Sequence, residues 1–221
     1  MWLFLYTQLM RFLIEEIDEY STQYTENEPQ LLSELNRETW ANVMMPRMLS
    51  GHMQGRFLSI FSKILNPEKI IEIGTYTGYS ALCMAEGIQS EGEIHTIDIN
   101  EEYTSIAKKY FNRSKYRNNL KQHIGNALEI IPKLEHKFQL AFIDADKENY
   151  SAYFDLIIEK MDLHGCIIAD NVLWSGKVTK ENKDKETKAL DSYNKKVKSD
   201  PRVETILLPI RDGLMISRKI K

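Results

Sequence analysis

The arrangement of apolar residues changes at residue 68, and this change restricts the possible folds more than any other feature of the sequence. From there, short apolar runs rich in isoleucine alternate with longer amphipathic stretches. Alternating strands and helices of this kind predict a parallel sheet with helices on both faces. The last two apolar runs are separated by only five residues, so we expect them to pair antiparallel. The predicted strands are residues 69–73, 93–99, 120–124, 139–143, 166–169, 203–208 and 214–218.

The first 65 residues have a different pattern, with apolar positions at helical spacing and no alternating strands. We expect helices there over 9–20, 31–42 and 54–65, the last ending just before Pro67. In the second part, helices are predicted over 78–89, 101–115, 127–134 and 150–161, with one more within 180–199. At 221 residues we expect a single domain over 1–221, with a helical N-terminal segment (1–65) and a core (66–221).

Charge and residue usage narrow the classes of function. Lys and Arg total 29 against 32 for Asp and Glu, so the chain lacks the broad basic surface typical of nucleic-acid binding. Two cysteines cannot form a disulfide framework, and the five histidines include no H-x-x-x-H pair that predicts a metal site. The apolar N-terminus is too short for a membrane span and lacks the features of a signal peptide, so we expect a cytoplasmic protein with no membrane contact.

The turn after the first strand is a candidate nucleotide-type site. Gly74 and Gly78 allow close backbone approach to a ligand and lead into a helix, but the G-x-G-x-x-G fingerprint of dinucleotide binding is absent. Asp98 ends the second strand and could accept both hydroxyls of a ribose, or could cap the next helix. Asn126 after the third strand could likewise cap a helix or bind an adenine. Together these residues favour an adenosine-containing ligand without a pyrophosphate, such as S-adenosylmethionine.

Oxygen-bearing side chains end the fourth and fifth strands. Asp144 follows one strand, and the pair Asp170 and Asn171 follows the other. Two carboxylates and an amide, without sulfur or imidazole, suit a hard cation such as Mg²⁺, with Mn²⁺ or Ca²⁺ as alternatives. Lys147 lies three residues after Asp144. A nearby dication disfavours a charged ammonium, so Lys147 could act as a general base, or it could simply be a solvated lysine.

Four segments carry a resemblance to a known family. They are EIGTYTGYS (72–80), IDADKENY (143–150), DNVLWSG (170–176) and LPIRDG (208–213). In this order and spacing they resemble motifs of the cation-dependent O-methyltransferases, the caffeoyl-CoA and catechol O-methyltransferase-like family. The resemblance extends from about residue 44 to the C-terminus.

The resemblance implies an α/β fold of the Rossmann-like class I methyltransferase type. Such a fold has a seven-stranded, mostly parallel sheet with an antiparallel last strand, helices on both faces and, here, extra N-terminal helices. It also implies S-adenosylmethionine as methyl donor and a homodimer. The donor positions are Ser50, Glu72, Gly74, Thr75, Gly78, Tyr79, Ser80, Asp98, Asn126, Ala127 and Asp144; the metal positions are Asp144, Asp170 and Asn171; the base is Lys147; the acceptor pocket is Asp146, Trp174 and Ser175.

Two residues depart from the plant members that use coenzyme A thioesters. Ser175 stands where they carry asparagine, and Ser50 where they carry threonine. The predicted function is therefore methyl transfer from S-adenosylmethionine, with a divalent metal, to a small phenolic acceptor with vicinal hydroxyls rather than to caffeoyl-CoA itself.

Three other functions are compatible with parts of the pattern. A tRNA hydroxyuridine O-methyltransferase would fit the family, and Lys and Arg are enriched over 177–198, although the overall charge is −3. A nucleotide-dependent oxidoreductase would need the missing glycine fingerprint. A non-catalytic protein that keeps the donor pocket would not need the acid, amide and lysine set.

Overall fold

A seven-stranded sheet is the centre of the computed structural model, which describes residues 14–221. The strand order is β3-β2-β1-β4-β5-β7-β6. Strands β1 to β5 pair in parallel, whereas β7 is antiparallel to both β5 and β6. The predicted fold class is therefore confirmed, including the antiparallel final pair. The strands are β1 (Lys69–Ile73), β2 (Glu93–Asp98), β3 (Leu120–Ile124), β4 (Phe138–Ile143), β5 (Met161–Ala169), β6 (Val203–Leu208) and β7 (Leu214–Lys219).

Helices precede the sheet and cover both of its faces. They are α1 (Glu15–Gln23), α2 (Gln30–Asn42), α3 (Gly51–Leu65), α4 (Tyr79–Ala85), α5 (Thr104–Arg113), α6 (Ala127–Ile130), α7 (Tyr150–Lys160) and α8 (Lys185–Ser199). The first helix differs from the prediction over 9–20: it continues to Gln23, and residues 9–13 lie outside the described residues. Its residues are all at least partly exposed, so polar side chains at its end cost little.

Alternation along the strands divides the core into two layers. On β1, Ile70 packs with helices α2 to α5, whereas Ile71 and Ile73 pack with α7 and α8. Each strand of a sheet covered on both faces must be apolar on both sides, which explains the continuous isoleucine runs. The layers hold the strand ends, where the predicted site residues lie, in fixed positions.

Several helices differ in length from the sequence prediction: α3 begins at Gly51 rather than at residue 54, α4 ends at Ala85 rather than at residue 89, and α5 is Thr104–Arg113 rather than 101–115. Two further differences have a clear physical cause. The helix predicted over 127–134 divides into α6 and a 3₁₀ turn at Ile131–Lys133, because Pro132 has no N–H to continue an α-helix. Strand β5 begins at Met161, five residues before the predicted Cys166. Its first half is partly exposed, so only its buried second half reads as an apolar run.

Within residues 14–221, no helix has the length and apolar character needed to cross a membrane.

Candidate active site

The glycine turn after β1 lies against the end of β4. Gly74 has φ 101°, and a Cβ at this position would lie 2.0 Å from the carbonyl oxygen of Asp144. Its N–H donates to the carbonyl of Ile97 at the end of β2, at 2.8 Å. Only glycine allows this backbone conformation and approach together. The turn therefore brings the ends of three strands close to one another.

Glu72, at the centre of this region, is fully buried and bonded by hydroxyls. Ser80 Oγ donates to one carboxylate oxygen and Thr96 Oγ1 to the other, each at 2.5 Å. The hydroxyl of Thr75 lies 2.5 Å from that of Thr96. Burial raises the pKa of Glu72 to about 8. Both oxygens of Glu72 thus hold α4 and β2 in place around the turn.

Asp98 holds the same turn from the end of β2. Its Oδ2 accepts the N–H of Tyr76 at 2.8 Å, and its Oδ1 accepts the N–H of Asn100 at 2.9 Å. Helix α5 begins only at Thr104, so Asp98 is not its cap. A carboxylate has about four acceptor sites, and these two bonds leave acceptor capacity on the partly exposed Asp98.

Further residues predicted to bind the methyl donor lie at the starts of helices α4 and α6. Asn126 caps α6, since its Oδ1 accepts the N–H of Leu128 at 3.0 Å, and Ala127 is the first residue of that helix. Gly78 has φ 89° immediately before α4. Tyr79 is buried, and its hydroxyl donates to the carboxylate of Glu28.

Lys147 joins the ends of β4 and β5. Its Nζ donates to Asp144 Oδ1 at 3.0 Å and to Asn171 Oδ1 at 2.8 Å. A third bond goes to the hydroxyl of Tyr150 at 2.8 Å, and that hydroxyl donates to the carbonyl of Asp170 at 3.0 Å. Lys147 is 8% exposed. The oxygens of Asp144 and Asn171 thus converge on a single, largely buried positive charge.

Asp170 adds a second carboxylate to this group. It is 2% exposed, and its oxygens accept Gln54 Nε2 and the N–H of Asn171, each at 2.6 Å. Burial, together with the charge of Asp144, raises the pKa of Asp170 to about 6. Asn171 has φ 58°, a conformation that asparagine tolerates better than most residues. The three predicted metal residues therefore lie together at one edge of the sheet.

The predicted acceptor residues lie beside this group. The ring centroid of Trp174 is 5.7 Å from Lys147 Nζ, and the N–H of Ser175 donates to Asp212 Oδ1 at 2.5 Å. Both residues have positive φ, 48° and 53°. Asp146 is exposed and accepts from the Tyr153 hydroxyl and from Asn149 Nδ2.

Two residues at this edge were not singled out from the sequence. Gln54 on α3 is completely buried and bonds Asp170. Arg211, between β6 and β7, donates through Nη1 to the carbonyl of the buried Ser50 and to Gln54 Oε1, the latter at 3.3 Å. Arg211 and Asp212 are adjacent charged residues in a connection of only five residues, and their presence in so short a connection could have indicated a functional role. Gln54 is one glutamine within a helix, and nothing in the sequence around it indicates a functional role.

Comparison with known proteins gives the context for this geometry. A family model of O-methyltransferases matches residues 19–220. Caffeoyl-CoA O-methyltransferase 5 from Nicotiana tabacum is 34% identical over 206 residues, covering 87% of this chain and 85% of that protein. The SAH-bound methyltransferase PaMTH1 from Podospora anserina superposes with a TM-score of 0.86 at 26% identity, covering 94% of this chain and 95% of that one. A Bacillus cereus O-methyltransferase in complex with SAH superposes with a TM-score of 0.85 at 26% identity, covering 92% of this chain and 97% of that one. The chain therefore belongs to the O-methyltransferase family.

Proposed function

We propose that this O-methyltransferase uses S-adenosylmethionine and a divalent cation to methylate a hydroxyl of a small catechol-like acceptor. The observation that carries the proposal is the convergence of Asp144 and Asn171 on one buried positive charge, next to Asp170. Oxygen atoms that already share one cation are suited to share another. The same edge of the sheet carries the glycine turn at Gly74.

The residues around this turn fit an adenosine-containing donor. Asp98 keeps acceptor capacity for ribose hydroxyls, and Gly74 keeps the backbone free of a side chain. The two SAH-bound neighbours support the same donor class for this chain. When bound, S-adenosylmethionine supplies an electrophilic methyl group. We assign the donor to the predicted set around Glu72, Thr75, Ser80 and Asp98.

The residues at the ends of β4 and β5 fit a hard divalent cation. Asp144, Asp170 and Asn171 offer only oxygen atoms, which Mg²⁺ and Mn²⁺ prefer. Asp170 is buried beside a second carboxylate; burial, with a further contribution from the charge of Asp144, raises the pKa of Asp170 to about 6. The cation supplies positive charge that stabilises an oxyanion on the acceptor.

We assign Lys147, as the neutral amine, to take the proton of the acceptor hydroxyl at Nζ. A cation bound at Asp144 and Asn171 would disfavour the charged ammonium and so leave Nζ with a free lone pair. A phenol with a pKa near 10 is ionised in about one part in a thousand at pH 7, so its phenolate costs roughly 4 kcal/mol. Tyr150 and Asn171 hold Nζ at a fixed point beside the ring of Trp174. That ring offers a flat apolar surface on which an aromatic acceptor can lie. Orientation of the two reactants supplies a further part of the acceleration.

The acceptor class rests on the site and on the relatives together. The tobacco relative is named for caffeoyl-CoA, whose caffeoyl ring has two vicinal hydroxyls. In this chain Ser175 has its backbone N–H bonded to Asp212. By the family resemblance, its short side chain stands where the plant members carry asparagine. We therefore propose a small vicinal-dihydroxy aromatic as the acceptor rather than the thioester.

A screen with S-adenosylmethionine tritiated on its methyl group tests this proposal. Catechols, flavonoids, hydroxycinnamates, caffeoyl-CoA and bulk tRNA are offered with Mg²⁺ and with EDTA. We expect label in the small catechol-containing compounds, only with Mg²⁺, and none in caffeoyl-CoA or in compounds with a single hydroxyl. Label in tRNA alone, located by nucleoside mass spectrometry, would replace the small acceptor with hydroxyuridine. The homodimer and the cytoplasmic location stay predictions.

A further inference from the structure

A second group of metal-binding side chains lies away from the candidate active site. Glu93 and His95 are on β2, and His136 precedes β4. One ligand atom from each of these three residues lies within 4.8 Å of the other two. His123, on the neighbouring strand β3, stacks on His95 with ring centroids 5.2 Å apart. The histidines are far apart in sequence, so the H-x-x-x-H pattern could not detect a cluster that the sheet assembles.

The ring of His95 is the centre of the group. The residue is 5% exposed, and its Nδ1 lies 3.0 Å from His123 Nε2. Its other nitrogen, Nε2, is buried and has no hydrogen-bond partner among residues 14–221. Buried polar atoms without a partner are uncommon and need an explanation. In the tautomer in which Nδ1 donates to His123, the lone pair of Nε2 is free to bind a ligand.

The distance from this nitrogen to the nearest carboxylate fits a metal. His95 Nε2 is 3.5 Å from Glu93 Oε2. Two ligands at about 2.1 Å from a tetrahedral Zn²⁺ are separated by about 3.4 Å. The spacing is long for a hydrogen bond but matches two corners of that tetrahedron.

The protonation states also suit metal binding, which requires neutral imidazole and ionised carboxylate. Burial, together with the nearby rings of His123 and His136, lowers the pKa of His95 to about 4, so the ring is neutral at pH 7. A hydrogen bond from Lys69 lowers the pKa of Glu93 to about 2. Ring stacking alone would account for His95 against His123, but not for the orientation of its free nitrogen toward an acid.

We propose that Glu93, His95 and His136 form a binding site for a borderline divalent transition metal such as Zn²⁺, with His123 as the outer hydrogen-bond partner of His95. Imidazole ligands favour Zn²⁺, Co²⁺ or Ni²⁺ over Mg²⁺, whereas the Asp144 group offers only oxygen. Glu93 and Asp98 are the two ends of β2, which at 3.3 Å per residue separates them by roughly 16 Å. The ion therefore has a structural role, joining β2 to the segment before β4, and is independent of methyl transfer.

Lys69 is the competitor for this ion. Its Nζ donates to Glu93 Oε2 at 2.8 Å, and Lys121 Nζ lies 3.7 Å from the other oxygen. A metal at the site displaces Lys69 from Oε2. Lys69→Gln removes that positive charge and is therefore expected to tighten metal binding. Replacement of a ligand residue is expected to weaken it.

The test uses full-length protein without a histidine tag, loaded with Co²⁺ or Zn²⁺ in excess Mg²⁺, which blocks the oxygen site. Bound metal is counted after gel filtration, affinity is measured by competition with a chelator, and the visible absorption of Co²⁺ reports tetrahedral nitrogen and oxygen ligation. We expect one ion per chain in the wild type. Glu93→Gln and His136→Asn, which change partly exposed residues, should each weaken binding by about tenfold or more.

His164→Asn is the matched control, because His164 is an exposed histidine outside the cluster, and it should retain the ion. Asp170→Asn should also retain it, which separates this site from the candidate active site. Absence of a retained ion in the wild type overturns the proposal. So does unchanged affinity in either ligand variant whose thermal unfolding without metal matches the wild type, or unchanged affinity in Lys69→Gln.

Discussion

Lys147 carries three hydrogen bonds that fix its ammonium between two strands, and its removal is the sharpest change at the scale of one residue. Lys147→Met should lower kcat by about a hundredfold or more, the contribution typical of a positioned proton acceptor, while the Kd for S-adenosylmethionine stays nearly unchanged. Steady-state kinetics and calorimetry measure the two quantities.

Lys177→Met is the matched control for this change. Lys177 Nζ also lies 5.7 Å from the ring of Trp174 but makes none of the three contacts of Lys147. We expect its kcat to stay within a few-fold of the wild type. A folded Lys147→Met protein that keeps wild-type kcat would remove Lys147 from the mechanism.

Because Glu72 has a raised pKa in the fold, we expect the free energy of unfolding to depend on pH. Its pKa is about 8 in the fold, against an ordinary value of 4.5. Between these values the folded protein holds one more proton than the unfolded chain, so this residue makes the free energy of unfolding fall as pH rises. Each pKa unit corresponds to about 1.4 kcal/mol. Gln at this position cannot ionise, so the free energy of unfolding of Glu72→Gln should fall less with rising pH. Relative to the wild type, the variant should therefore gain stability between pH 5 and pH 8.

Urea unfolding at a series of pH values measures this difference. Glu91→Gln, at an exposed position, should keep the wild-type slope. If Glu72→Gln and the wild type lost stability in parallel across the window, the buried carboxyl would be ionised in the fold.

At the scale of elements, helix α3 supports the site through its contact with α4. A Cβ on Gly55 would lie 2.6 Å from Tyr79 Cε1 and 2.9 Å from Cys83 Sγ, both buried. Gly55→Ala gains about 1 kcal/mol of helix propensity but overpacks this contact, typically at a cost of 1–3 kcal/mol. Because the Tyr79 hydroxyl is bonded to Glu28, we expect overpacking to prevail and Tm to fall. Ile60→Ala, on the exposed face of α3, should change Tm little; a rise in Tm for Gly55→Ala would contradict the packing argument.

The same helix orients a predicted metal residue. Gln54 donates to Asp170 Oδ2 and accepts from Arg211. Gln54→Ala should raise the Mg²⁺ concentration for half-maximal rate by about tenfold, with a smaller change of kcat at saturating Mg²⁺. Kinetics at varied Mg²⁺ separate the two effects. A loss of kcat that Mg²⁺ does not restore would mean that Gln54 acts on something other than the cation site.

Sequence patterns predicted three strands to the residue. Strands β1, β3 and β6 have the predicted bounds, and the antiparallel pairing of β6 and β7 is confirmed. Bounds were wrong where the apolar pattern is missing or is interrupted. The exposed half of β5 has no apolar run, and the break after Ile130 depends on one proline.

At the scale of the whole molecule, the sheet explains which parts of the site were predictable. Parallel strands bring their carboxyl ends to one edge, so Asp98, Asp144 and Asp170 could be placed together from strand order alone. Gln54 and Arg211 come from elements far apart in sequence. No local pattern shows that Arg211 contacts Gln54, which in turn bonds Asp170. The same holds for His95 and His136, which only the assembled sheet brings close to each other.

Cation dependence is the central claim, and the rate of methyl transfer after complete removal of metal tests it most directly. The wild type and Asp170→Asn are treated with EDTA, and Mg²⁺ is then titrated in excess of the chelator with the acceptor found in the screen. We predict no turnover by the wild type in EDTA, full recovery with Mg²⁺, and a midpoint for Asp170→Asn about tenfold higher or more. Undiminished wild-type turnover in EDTA would contradict the account.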